Sequence, residues 1–245
     1  MRKNKSLISV LPCCLAFICI LLPQSSEAQI NRRNYNYLDY QHKDYYFGIS
    51  LGFNSSKHQV FHSEEFVDNG NFLTAQGVPS VGFNVQGIVN YKIGQYFDVR
   101  VLPGFTFATR FLDFSSPNNM NPGFPVQRNS IESIFVNLPF LIRYKSAPYR
   151  DKRAYIIAGI NYSYDVSSNS DARGSETLIR IDPHDFQIEA GVGMQFFFPY
   201  FILSPEIKFS QGINNTLLFN DQLEESTIIE KLLSRVLTIS FNFEG

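Results

Sequence analysis

From about residue 45 onward, large apolar residues recur at every second position, and the positions between them carry small or polar side chains. This is the period of a β-strand with two unlike faces. In the first such segment Phe47, Ile49, Leu51 and Phe53 oppose Tyr46, Gly48, Ser50, Gly52 and Asn54. The second sets Val81, Phe83, Val85, Val89 and Tyr91 against Ser80, Gly82, Asn84, Gln86 and Asn90, and the third sets Phe97, Val99, Val101, Phe105 and Phe107 against Asp98, Arg100, Gly104, Thr106, Ala108 and Arg110. Five more follow, near residues 131–145, 154–166, 185–196, 201–210 and 237–243. The connections alternate in length. Lys92 to Tyr96, Ser146 to Arg153 and Phe197 to Tyr200 are short, whereas Asn54 to Val78, Asp113 to Asn129, Ser167 to Thr177 and Gln211 to Leu232 are long and polar. Eight strands joined this way predict an all-β, antiparallel, up-and-down meander with both ends on the short-turn side.

The face chemistry selects among the closed forms of such a meander. A soluble barrel or sandwich turns its large apolar residues inward and carries Lys, Glu and Asp outside. Here charge is nearly absent from the apolar face, and the small face carries Gly, Ser, Asn and Thr with scattered ionic groups, the filling of a narrow membrane barrel. Within a bilayer every backbone amide needs an internal partner, so strands can cross only as a closed barrel. The expectation is an eight-stranded transmembrane β-barrel with its apolar face in outer-membrane lipid and its interior filled by a packed polar core without a solute channel. Tyr91, Tyr144, Tyr155 and Tyr164, near strand ends, are expected at the headgroups.

The N-terminal region reads differently. Arg2, Lys3 and Lys5 precede an apolar run from Leu7 to Leu22, and Ser26-Glu27-Ala28 offers small residues for a signal peptidase, with cleavage expected before Gln29. Cys13, Cys14 and Cys19 all lie in that run, so the mature chain has no thiol for a disulfide or a metal. The expected organisation is a signal peptide at 1–28, a polar, Tyr-rich periplasmic leader at 29–44 and the barrel at 45–245. Aromatic residues make up 15% of the chain and charged ones 18%, which excludes disorder, and the formal net charge of −1 gives nucleic acid no electrostatic footprint.

Candidate chemistry is sparse. With a regular hairpin at Phe197 to Tyr200, Glu189 lies directly opposite Lys208, both inward beside Glu206, with Arg100, Arg110 and Arg143 as counter-charges. Buried charges must be paired, so a structural ion pair is favoured over a proton or ion relay. His42 lies in the leader, His58 and His62 in the first long loop, and His184 beside Asp185, near Asp165. None sits in a nucleophile motif, and two loop histidines are a weak metal signal. No catalytic, cofactor-binding or metal site is assigned, and the protein is expected not to be an enzyme. Phe66, Phe72 and Leu73 in the first long loop, and Leu217, Leu218 and Phe219 in the last, are either sticky outer surfaces or loop packing, with loop packing favoured.

The order of short blocks adds a resemblance. Tyr46-Phe-Gly-Ile-Ser-Leu-Gly-Phe-Asn54, Val101-Leu-Pro-Gly-Phe105, Glu132-Ser133 leading to Leu138-Pro-Phe-Leu141, Ala158-Gly-Ile-Asn-Tyr162, Glu189-Ala-Gly-Val-Gly193 and Phe198-Pro-Tyr-Phe-Ile202 entering Ser204-Pro-Glu206 resemble the PorT family across residues 45 to 243. That resemblance implies an outer-membrane component of the type IX secretion and gliding-motility apparatus of Bacteroidetes, with both termini in the periplasm and other secretion proteins as partners, supporting export of cargo with C-terminal sorting domains. The alternatives are a small outer-membrane anchor or adhesin and, third, a lipid-modifying barrel enzyme. Intact-mass measurement of the purified protein is expected to show a chain beginning at or near Gln29. Retention of Met1 would contradict the signal assignment.

Overall fold

A computed structural model describes residues 35–62, 74–115, 127–167, 180–218 and 229–245. The proposed signal at 1–28, Phe66, Phe72 and Leu73 in the first loop, and Phe219 lie outside them. A short helix, α1 (Tyr37–Gln41), precedes the strands β1 (Tyr45–His62), β2 (Thr74–Val78), β3 (Ser80–Lys92), β4 (Phe97–Val101), β5 (Gly104–Ser115), β6 (Gln127–Lys145), β7 (Lys152–Asp165), β8 (Arg180–Ile181), β9 (His184–Phe197), β10 (Ile202–Gly212), β11 (Leu217–Leu218) and β12 (Ile229–Glu244).

Proline explains why there are more segments than wall strands. It has no N–H for a ladder. Pro79 separates β2 from β3, and Leu102-Pro103 separates β4 from β5, yet β3 pairs with both β4 and β5, so each divided pair is one strand of the wall. The ring then runs β1, β2–β3, β4–β5, β6, β7, β9, β10, β12, every step antiparallel. It closes where β12 pairs with β1, from Gly48↔Glu244 to His62↔Ile229. The small β8–β11 pairing continues the β9 and β10 hairpin beyond the wall. The result is the expected eight-stranded, up-and-down barrel.

The two faces follow the alternation. Phe47, Ile49, Leu51 and Phe53 on β1 and Leu237, Ile239, Phe241 and Phe243 on β12 point outward, while Ser50, Asn54, Thr238, Ser240 and Asn242 are buried inside. Neighbouring outward rings touch across strands, as where Phe83 stacks on Phe107 with centroids 4.6 Å apart.

Several expectations are corrected. The strands reach further into the long loops than alternation alone predicts. β1 continues to His62, β5 to Ser115, β6 begins at Gln127 and β12 at Ile229, so His58 and His62 lie on a strand and not in a loop. Tyr155 does not stand at the headgroups. It shares the inward phase of Arg153 and Ile157 and is 3% exposed. The interior is not uniformly polar either, because Ile88, Leu102, Leu141 and Ile157 join Tyr155 in an apolar cluster on the inner wall. The end of the leader is also more than a polar tether. Tyr40 of α1 packs with Phe197 and Ile202, its hydroxyl donates to the Phe198 carbonyl at 3.1 Å, and the Asn36 amide donates to the Phe197 carbonyl at 3.1 Å. Burial, with Asp39 adjacent, raises the Tyr40 phenol above its ordinary pKa, which keeps it a neutral donor.

A charge on the outward face should be far less tolerated than one in a turn. Val192→Arg, central in β9, is expected to destabilise the barrel by roughly 2 to 4 kcal/mol, whereas Tyr200→Arg in the exposed turn should stay within about 0.5 kcal/mol. Urea unfolding in lipid vesicles measures both, and equal losses would overturn the facing assignment.

Candidate functional site

The barrel interior gathers most of the ionic side chains into one layer near the short-turn end. Parity delivers them. Asp98 and Arg100 on β4, Arg143 and Lys145 on β6, Glu206 on β10 and Glu244 on β12 all occupy inward positions and are essentially excluded from solvent. Arg100 bridges Glu206 at 3.2 Å and Glu244 at 2.5 Å. Arg143 bridges Asp98 at 2.5 Å and Glu244 at 3.3 Å, and the Lys145 ammonium pairs with the second Asp98 oxygen. Two tyrosines complete the layer. Tyr155 donates to Glu206 at 2.8 Å, and Tyr46 donates to Asp98 at 3.3 Å while accepting from Arg143. Arg143 also lies over the Tyr46 and Tyr155 rings, 5.7 and 5.1 Å from their centroids.

The surroundings make this layer strong. Moving two residues away from the short turns, to the next inward position, leads from Arg100 to Leu102, from Arg143 to Leu141 and from Tyr155 to Ile157, so an apolar half-belt lies directly against the charges. Low polarity on one side strengthens each charge-assisted bond and raises the penalty for any member left alone. Gly193 provides the room: a Cβ there would fall 2.4 Å from the Tyr155 hydroxyl.

The predicted pair falls elsewhere. Glu189 and Lys208 do bond, at 2.9 Å, but they are not directly opposite. The turn spans Phe198 to Phe201, with Phe198 N–H donating to the Phe201 carbonyl, and Phe197 pairs with Ile202. This sets Glu189 against Ser210 and Lys208 against Gly191. The ion pair is therefore diagonal, with Ser210 donating to the other Glu189 oxygen at 2.9 Å. Glu206, expected beside that pair, belongs to the Arg100 layer. The Arg110 side chain lies outside the described residues.

Glu244, Asp98, Lys145, Tyr46 and Tyr155 were not singled out as site residues from the sequence. The signal was present in their parity with Asn242, Arg100, Arg143, Gly48 and Ile157 respectively.

Toward the long loops the interior is mostly neutral amide and hydroxyl groups around Asp165, Asp185 and the Glu189–Lys208 pair. Ser163 donates to Asn137 at 2.6 Å, Asn137 to Thr106 at 2.6 Å, and both Gln187 and Ser234 to Asp185. A void of about 40 Å³ among Asn54, Asn84, Glu189 and Lys208 is the space left there. His184 and Asp185 sit on opposite faces of β9: the imidazole is outside, 2.8 Å from the Tyr162 hydroxyl, while Asp185 is inside with Asp165. They form no catalytic array. His42 is exposed after α1, and His58 is buried on β1. Among the described residues no cluster of histidine and carboxylate ligands could hold a metal ion.

A sealed ring with an apolar outer belt and a buried ion layer inside is the architecture of a bilayer-spanning barrel, and the family comparison agrees. A model described as outer membrane protein beta-barrel domain matches residues 27–218. The chain belongs to this family. It is therefore an outer-membrane β-barrel protein set in the lipid bilayer. No curated protein matches it. Solved structures similar to it include the outer membrane protein OprG from Pseudomonas aeruginosa, at 11% identity and a TM-score of 0.47, covering 82% of this chain and 95% of that one. Neisserial surface protein A (NspA) is 10% identical with a TM-score of 0.42, covering 80% and 95%. Ail, the attachment invasion locus protein of Yersinia pestis, is 12% identical with a TM-score of 0.38, covering 83% and 100%.

Removing one member of a buried pair should harm the barrel more than removing both. Lys208→Met is expected to cost roughly 3 to 5 kcal/mol by leaving Glu189 uncompensated, and adding Glu189→Gln should recover at least half of that loss. Unfolding of the two variants in vesicles decides the point. An additive double variant would show that the two groups do not act as a pair.

Proposed function

We propose that the protein is a non-enzymatic outer-membrane component of the type IX secretion and gliding apparatus, supporting export of cargo with C-terminal sorting domains. The observation that carries this reading is the order of the Tyr46–Asn54, Val101–Phe105, Leu138–Leu141, Ala158–Tyr162 and Glu189–Gly193 blocks around the barrel, which resembles the PorT family. The interior supports a role other than conduction, since the Arg100, Arg143, Glu206 and Glu244 layer fills the section near the short turns. A non-enzymatic role is supported by the separation of His184 from Asp185 across the wall. In this reading the short turns, the leader and both termini face the periplasm, and partner proteins of the secretion apparatus meet the barrel through its turns or loops.

A surface adhesin or simple anchor is the second reading. It draws on the apolar residues of the last long loop, but Leu217 there is buried, which favours loop packing.

Deleting the gene and comparing surface, secreted and periplasmic proteomes tests the proposal. Cargo bearing C-terminal sorting domains is expected to accumulate in the periplasm and to return to the surface on complementation. Normal surface cargo in the deletion strain would refute the secretion role.

A further inference from the structure

The short-turn end of the barrel holds a second feature that neither the wall nor the ion layer requires. A cavity of about 300 Å³ opens between α1 and the barrel mouth. Its lining includes the cations Lys92, Lys145 and Arg153 and the rings of Tyr37, Tyr40 and Phe197.

The charge balance around this cavity is uneven. Five basic groups (Lys92, Arg100, Arg143, Lys145 and Arg153) meet three buried acids, Asp98, Glu206 and Glu244. All three acids are engaged by Arg100, Arg143 and Lys145. Asp44, also at the cavity, is exposed to solvent.

Arg153 is the group left over. It is 94% buried by its 6% exposure, and its guanidinium donates only to backbone carbonyls, to Ser146 at 2.7 Å and to Gln95. Among the described residues it meets no carboxylate. Lys92, half-buried, donates to the Tyr40 carbonyl at 2.5 Å and likewise has no acid in bonding distance among those residues. Buried cations need an opposite charge, and among the described residues Asp98 and Asp44 act on these two only from beyond bonding distance.

We propose that this cavity binds a small organic carboxylate, its charged end between Arg153 and Lys92 and its apolar body against Tyr37, Tyr40 and Phe197. Arg153 suits the task, because a planar guanidinium presents paired donors to a carboxylate, and Lys92 adds a point charge at the mouth. The volume is at the lower end of what small-molecule sites use, enough for one aromatic or short aliphatic acid. The same carboxylate chemistry could arrive on a free metabolite or at the C-terminus of a peptide. The Lys92 bond to the Tyr40 carbonyl joins the cavity to the leader, so occupancy would also hold α1 in place.

Calorimetric titration of the full mature barrel in detergent tests this. The probes are benzoate, its neutral counterpart benzamide, and the peptide Gly-Gly-Phe with a free or an amidated C-terminus. Benzoate or the free-acid peptide is expected to bind saturably at one site, with benzamide and the amidated peptide at least tenfold weaker. Tighter binding of the peptide would assign the carboxylate to a chain terminus, and tighter binding of benzoate to a free small acid. Arg153→Gln should weaken binding at least tenfold. Lys92→Gln, at the half-buried rim, should weaken it several-fold and serves as the deciding variant if the first does not fold. Absence of saturable binding by either acid, equal binding of the neutral probes, or unchanged affinity in a folded variant would overturn the proposal.

Discussion

The constraint on which everything else rests is that hydrocarbon offers no partner to a backbone N–H or C=O. Each unpaired group there is costly enough that the sheet cannot have an edge. The β1–β12 ladder is therefore the defining contact of the molecule. Once the ring is shut, the remaining design follows from its narrow bore. Outward positions need only match lipid, and inward positions must satisfy one another in a space too small for bulk water.

The charged layer is how the inward positions near the short turns meet that demand. Four wall strands contribute Asp98, Arg100, Arg143, Lys145, Glu206 and Glu244, so no charge is balanced by its own strand neighbour alone. Such a network is a poor source of net stability compared with an apolar filling, but it is intolerant of misplacement. A register slip of one residue in any contributing strand would send its charge into lipid and leave a partner unpaired. The layer thus specifies register across the barrel, while the apolar half-belt beside it keeps the bonds short of competition from solvent.

Most of the architecture was legible in the sequence because lipid imposes a period of two without exception over long stretches. The facing of Phe47 to Asn54 or of Phe186 to Phe196 needs no tertiary information. What escaped was of a different kind. The Glu189–Lys208 pair was found, but its register was misplaced by two residues, because the turn residues are Phe198 to Phe201 and not Phe197 to Tyr200. Tyr155 was misassigned by a general preference of tyrosine for interfaces, although its parity with Ile157 places it inside. Glu244 follows the last aromatic residue of β12, and only the closed ring shows it reaching both Arg100 and Arg143. Interior partnerships such as those of Arg100 with Glu206 and Glu244 join residues more than a hundred positions apart, and periodicity along one strand carries no information about them.

The position of Glu244 ties two requirements to the arrival of a single strand. β12 brings the hydrogen-bonding groups that β1 lacks, and at its end it brings the carboxylate shared by two buried guanidiniums. A polypeptide cut short before this strand would carry both an open sheet edge and an unbalanced interior, and neither defect could be relieved without the other. Closure of the ring and charge balance of its interior are thus met together, when β12 pairs with β1.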